Sequence, residues 1–150
     1  MHIAVGTDHA GLPLKAAVID ELKLLGHDVI DVGVHTAESV DFPDYAAKVG
    51  RALQSGEAER GVLLCGSGVG VAIAANKMRG IRASIIHDTY SAHQGVEHDG
   101  MNVLCMGGRI IGEALAREIV RTFAAAEFQE EERFLRRVGK INALEAEALP

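Results

Sequence analysis

Five short runs, at 2–6, 29–32, 61–64, 82–86 and 102–106, alternate with stretches whose apolar residues recur at helical spacing. The runs are too short to be helices, and the first beyond His2 and the third are apolar, as strands covered on both faces are. Between the first two, Leu14, Val18, Leu22 and Leu25 mark one helix face and Gly26 stops it. A proline turn at 41–44 opens another helix, with Tyr45, Val49 and Leu53 on one side. Helical patterns follow at 69–77 and 89–97, and Leu115, Ile119 and Phe123 mark a further one. Strands alternating with helices predict an α/β fold, with a five-stranded parallel sheet between two helical layers. The 150 residues fit one domain, 1–150.

The segment 127–150 differs from the rest. Glu130, Glu131 and Glu132 are followed by Arg133, Arg136 and Arg137, with Val138, Ile141, Leu144 and Leu149 as a partial apolar stripe. It reads as a C-terminal helix packed on the body or on a second subunit. The net charge of -6 offers no basic face for nucleic acid. No apolar stretch approaches the ~18 residues of a membrane span, and the N-terminal run lacks a signal-peptide pattern. Cys65 and Cys105 form no CxxC pair and read as free thiols. These features predict a soluble cytoplasmic protein.

In parallel sheets, ligands bind beyond the carboxyl ends of the strands. That rule selects 7–11, 65–70, 87–88 and 107–109, where glycine and polar residues concentrate. Cys65-Gly66-Ser67-Gly68-Val69-Gly70 lies between a strand and a helix. Its glycines let backbone N–H groups approach a ligand, and amides at a helix start face an anion favourably. Such donors stabilise an enediolate oxygen, and the same setting favours a thiolate. A tight turn around an inert thiol is the competing reading. The run is neither GxGxxG after the first strand nor a Gly-Lys-Ser/Thr phosphate loop.

Asp8 and His9 end the first strand: Asp suits sugar hydroxyls and His a phosphate or a proton, while Asp8 or Thr7 could equally cap a helix. His98, beside Asp99, suits acid–base work or a plain helix end. Arg133 and Arg137 share a helix face and could grip a phosphate, or belong to a solvated charge network such as Glu132 with Arg136. His87, His93 and His98 lack the spacing of a zinc helix, so no metal site is expected.

Taken together these places resemble the ribose-5-phosphate isomerase B and galactose-6-phosphate isomerase family, from residue 3 to about 141. The match rests on Gly6-Thr7-Asp8-His9-Ala10-Gly11, Ser39-Val40-Asp41-Phe42-Pro43-Asp44-Tyr45, Cys65 to Gly70, and Ile73-Ala74-Ala75-Asn76-Lys77. Gly80-Ile81-Arg82-Ala83, Asn102-Val103-Leu104, Gly108-Arg109 and Arg133 with Arg137-Val138 add to it. The resemblance implies a Rossmann-like sheet, a homodimer or homotetramer with shared active sites, and aldose–ketose isomerisation of a sugar phosphate without a cofactor. Ribose 5-phosphate is the leading substrate. Other four- to six-carbon sugar phosphates, or a non-catalytic phosphosugar- or nucleotide-binding module, are the alternatives.

By the same resemblance Cys65 is the base at the second carbon and Ser67 stands beside the reacting oxygens. The amides of Gly66, Gly68, Val69 and Gly70 form the anion hole. Asp8 and Asp99 contact the sugar, and His98 of a partner subunit opens the furanose ring. His9, Arg109, Arg133 and Arg137 bind phosphate. Three positions depart from the family pattern. Asp99 replaces an asparagine, Phe42 a tyrosine, and Phe134 a histidine, so a hydroxyl and a possible ligand contact are lost.

Overall fold

The computed structural model describes residues 1–148. The strands are β1 (His2–Thr7), β2 (Asp28–Asp31), β3 (Arg60–Cys65), β4 (Ala83–Ile85) and β5 (Val103–Gly107). The helices are α1 (Leu12–Leu24), α2 (Phe42–Gln54), α3 (Val69–Ala75), α4 (Thr89–Asp99), α5 (Glu113–Ala125) and α6 (Glu132–Ala148). All strand pairs are parallel, in the order β2-β1-β3-β5-β4. Helices α1, α4 and α5 cover one face and α2 and α3 the other, giving the Rossmann-like three-layer sandwich.

Alternation along the central strands sorts side chains between two cores. Ile3 and Val5, Val62 and Leu64, and Leu104 and Met106 meet Leu14, Val18, Leu22, Ile119 and Phe123 on the first face. Ala4, Leu63, Val103 and Cys105 meet Val49, Ala52, Val71 and Ala75 on the second. Because these strands are buried on both faces, β3 and β5 carry hardly a polar residue.

Strands β1, β3 and β5 differ from the sequence reading by one residue at one or both ends, and other boundaries differ for local reasons. Strand β2 begins one residue earlier, at Asp28, and as an edge strand is only half-buried. Helix α3 stops at Ala75, not 77: Asn76 bonds the backbone of Ala83 through both its amide nitrogen and its oxygen, each at 2.8 Å, and so turns the chain into β4. Strand β4 is trimmed to Ala83–Ile85, since the Arg82 N–H donates to the Asn102 side chain. Helix α4 runs on to Asp99, where Gly100 at φ 63° ends it; Asp88 caps its start by accepting from Ser91 N–H at 2.7 Å.

The C-terminal helix is present, but its apolar stripe is not its buried face. Phe134 is its buried residue, Val138 is half-buried, and Ile141 and Leu144 are exposed. Leu149 lies outside the described residues.

Phe123 has no exposed surface, and the Arg60 guanidinium stands 5.4 Å from its ring centre. Phe123→Ala is expected to cost about 3–5 kcal/mol, read as a lower urea midpoint.

Candidate active site

Strand β1 has β2 on one side and β3 on the other, so successive connections leave it in opposite directions. A crevice forms at the carboxyl ends of strands at such a point. Three loops meet there, after β1, β3 and β5.

After β1, Asp8 is 4% exposed and folds the chain back. Its Oδ1 accepts from the N–H groups of Ala10 and Gly11, both at 2.9 Å. Asp8 is therefore not the N-cap considered for it: it shapes the turn ahead of α1, whose N-cap is Gly11, with no side-chain bond. His9 Nδ1 accepts from Val40 N–H at 3.2 Å. The neutral ring therefore carries its proton on Nε2.

After β3, the carbonyl of Cys65 accepts from Gly108 N–H at 2.8 Å and that of Gly66 from Arg109 N–H at 3.0 Å. In a trans peptide the N–H points opposite to the C=O. Both carbonyls are turned toward the loop after β5, so the N–H groups of Gly66 and Ser67 point away from it. Among the described residues, the N–H groups of Ser67 and Gly68 have no protein acceptor. Gly68 sits at φ 83°, where a side chain would strain the backbone. At Gly107 a Cβ would stand 2.8 Å from the Ser67 Cα and 2.9 Å from the Gly66 oxygen, so the two loops touch backbone to backbone.

Asp8, His9, Cys65, Gly66, Ser67 and Arg109 line one cavity of about 360 Å³, with Ala10 and Ile110. The Arg109 side chain lies over Gly66, close to where a Cβ would be. Val69 and Gly70 begin α3, and the Phe42 ring packs against Gly70. Cys65 is half-buried and faces this cavity. Cys105 is sealed in the core, where burial pushes its thiol up out of the reactive range.

The other expected residues lie elsewhere. His98 stacks on Phe134, with ring centres 4.2 Å apart and planes 10° from parallel. Arg133 and Arg137 stand 4.5 Å and 6.0 Å from the centre of the Phe134 ring. Arg133 also pairs with Glu131 at 2.8 Å, and the Glu132–Arg136 pair read from the sequence is present at 3.8 Å. Asp99 Oδ2 accepts from the Gln94 amide at 3.1 Å. None of these residues lines the thiol cavity. One chain thus carries two separate groups: a thiol with backbone donors, and a histidine with two arginines. A larger cavity of about 780 Å³ lies between β4, α4 and α6. It includes Asp99 and Gln94, and its lining has no cysteine or histidine among the described residues.

Sequence reasoning missed Gln94, whose role needs the α4 geometry, and selected His87 within 87–88 without giving it a role. His87 Nε2 accepts from Gly107 N–H at 2.9 Å, holding the strand end that abuts Ser67. The signal for His87 was its place at the carboxyl end of β4.

Fold and cleft together define a small α/β protein with a half-buried thiol and unpartnered backbone donors at one crevice. The ribose/galactose isomerase family model matches residues 3–141. Ribose-5-phosphate isomerase B of Escherichia coli is 43% identical over 143 residues, covering 95% of each chain. D-erythrulose-4-phosphate isomerase of Pectobacterium atrosepticum is 41% identical over 130 residues, 86% of each. The structure of Clostridium thermocellum ribose-5-phosphate isomerase B superposes with a TM-score of 0.95 at 46% identity, covering 99% of this chain and 100% of that one. The chain belongs to the ribose/galactose isomerase family.

Burial pulls the His87 imidazole below its ordinary range, with Asp88 pulling weakly the other way. The neutral ring accepts from Gly107, whereas an imidazolium cannot. The unfolded chain takes up this proton as pH falls through about 6.5, before the folded protein does. His87 therefore contributes stability that is present above that pH and lost as pH falls toward the lowered folded value. His27, also held low by burial, contributes in the same direction. Denaturant midpoints are expected to fall between about pH 7 and about pH 5.5, and less steeply in His87→Gln.

Proposed function

We propose that this sugar-phosphate isomerase interconverts ribose 5-phosphate and ribulose 5-phosphate through a cis-enediolate, at sites each shared by two subunits of a homodimer. The observation that carries the reading is the half-buried Cys65 thiol in one cavity with Asp8, Ser67 and Arg109, beside free backbone donors. A cytoplasmic location suits this reading, because a reducing compartment keeps the free Cys65 thiol unpaired.

The substrate arrives mostly as a closed furanose. His98 of the partner subunit gives a proton to the ring oxygen as the bond from that oxygen to C1 breaks. The Asp8 oxygen not engaged in its turn takes the proton from the anomeric hydroxyl, leaving an aldehyde. Cys65 as thiolate removes the C2 proton, and charge builds on O1. The Gly66–Gly70 loop receives that charge, foremost through the unpartnered N–H groups of Ser67 and Gly68; in other enzymes one such donor is worth about 2.7–4 kcal/mol. A proton passes from O2 to O1 alongside the Ser67 hydroxyl, and the Cys65 thiol returns its proton to C1. His9, Arg109, Arg133 and Arg137 hold the phosphate, whose binding energy orients the reacting end. Nothing is oxidised overall, so the scheme uses no cofactor.

The separation of the two residue groups supports the shared site. Next to the cleft, α3 turns Ile73 out at 59% exposure and α4 turns Tyr90 out at 67%, with Val69 and Ile85 also exposed. A second copy would cover this strip and bring His98, Arg133 and Arg137 to the thiol.

A panel of four- to six-carbon aldose phosphates, followed by NMR in deuterated water, tests the substrate. Fastest ketose formation from ribose 5-phosphate, with deuterium entering at the reacting carbons, is expected. Faster turnover of a tetrose or hexose phosphate would reassign it, and tight ATP binding without isomerisation would favour a binding module. Cys65→Ala is expected to lose about 100-fold or more in turnover while calorimetry still detects sugar phosphate; full turnover would remove Cys65 as the base. Mixing inactive Cys65→Ala and Arg137→Ala subunits should restore up to about a quarter of wild-type activity, because half of randomly paired dimers are mixed and each holds one intact site of two.

A further inference from the structure

We infer that Phe134 is a positioning residue that sets the plane of His98 and holds both C-terminal arginines around one ring, so that ring opening depends on its flat aromatic face. This rests on the isomerase reading above. Helix α6 is mostly exposed, with Val138 and Glu145 half-buried and Phe134, at 2% exposure, its one buried residue among those described. Three side chains assigned to substrate all meet that ring: His98 in a parallel stack at 4.2 Å, Arg133 at 4.5 Å and Arg137 at 6.0 Å. A guanidinium over an aromatic face is held by the ring's quadrupole, and an offset stack restrains the imidazole plane.

Gln94 supplies the second restraint. Its Nε2 lies 3.1 Å from the Asp99 carboxylate, which only accepts, so the amide nitrogen faces that side. The same nitrogen lies 3.2 Å from His98 Nδ1, which must then be the acceptor. Rotation of the imidazole within its plane is thereby set, and the proton is left on Nε2. Stack and hydrogen bond together fix the direction in which His98 can give a proton. An aliphatic residue at 134 would keep the helix docked and lose the plane.

The chemistry offers a test that separates ring opening from the rest. Ribose 5-phosphate is a closed furanose and needs a proton at its ring oxygen. Ribulose 5-phosphate cannot close a furanose, because its O5 is esterified, so exchange of its C1 hydrogen with solvent needs the base and the phosphate grip but no ring opening. In Phe134→Leu, the forward rate on ribose 5-phosphate is expected to fall relative to C1 deuterium exchange on ribulose 5-phosphate, the ratio dropping about 10-fold or more. KM should rise for both substrates together, since the arginines share the ring. Phe134→His, which keeps a flat ring, should restore the ratio, and thermal melts establish that each variant is folded. Equal losses in both reactions, or a ratio unchanged in folded Phe134→Leu, would overturn the inference. A wild-type enzyme that catalyses neither reaction would instead overturn the isomerase reading on which it rests.

Discussion

The cleft depends on one backbone arrangement: two carbonyls after β3, those of Cys65 and Gly66, are bonded to the N–H groups of Gly108 and Arg109 after β5. That lacing fixes the peptide planes, and planarity turns the following N–H groups the other way. No side chain has to be held in place for the donors to exist, so they lose no rotamer entropy on meeting an anion. The close approach at Gly107 is what makes the lacing possible. His87 extends it by taking the Gly107 N–H from the β4 side. Donors built in this way are already arranged before charge develops, which is the condition under which they are worth most.

The two residue groups are held by different physics. The thiol group sits on strand ends in the middle of the sheet, where the registers Val5 to Val62 and Cys65 to Gly107 fix the loops. The histidine and arginines sit on α4 and α6, outside the sheet; α6 joins the body through Phe134 and through Glu145 to Gly80 N–H at 2.8 Å, and the segment before it through Gln129 N–H to the Glu97 carbonyl at 2.9 Å. Chemistry that needs fixed donors is on the rigid part. The groups that the proposed mechanism uses to protonate the sugar ring and grip its phosphate are on the peripheral part. In the proposed homodimer, the subunit interface would join the two and close the site around the sugar.

Much of this was readable in the sequence, and the limits have physical causes. Strands β3 and β5 announce themselves because burial on both faces leaves them apolar, and the carboxyl-end rule then marks Asp8, His9, Cys65 and Arg109. The end of α3 was misplaced because Asn76 bonds Ala83 across the turn, a contact that helical periodicity does not encode. The fate of the C-terminal stripe was also hidden. Val138, Ile141 and Leu144 follow helical spacing, yet the helix packs through Phe134, which periodicity did not single out. His87 and Gln94 act through hydrogen bonds to residues distant in sequence or on the next turn, and polar residues on a helix face look alike until their partners are known.

The three departures from the family pattern lie at packed or hydrogen-bonded positions. Phe42 packs on Gly70, buttressing the donor loop from its α2 side, which a ring does with or without a hydroxyl. Phe134 lies beneath His98, where a ligand would not reach it, so a ligand contact is a poor measure of what the residue does. Asp99 places a carboxylate beside the proposed acid, and an uncommitted carboxylate there would repel an enediolate. The Gln94 amide occupies one of its oxygens while bonding His98 through the same nitrogen. Two changes that look damaging singly are therefore linked: the amide that draws Asp99 aside is the one that orients the imidazole, and Phe134 supplies the surface on which that orientation is kept.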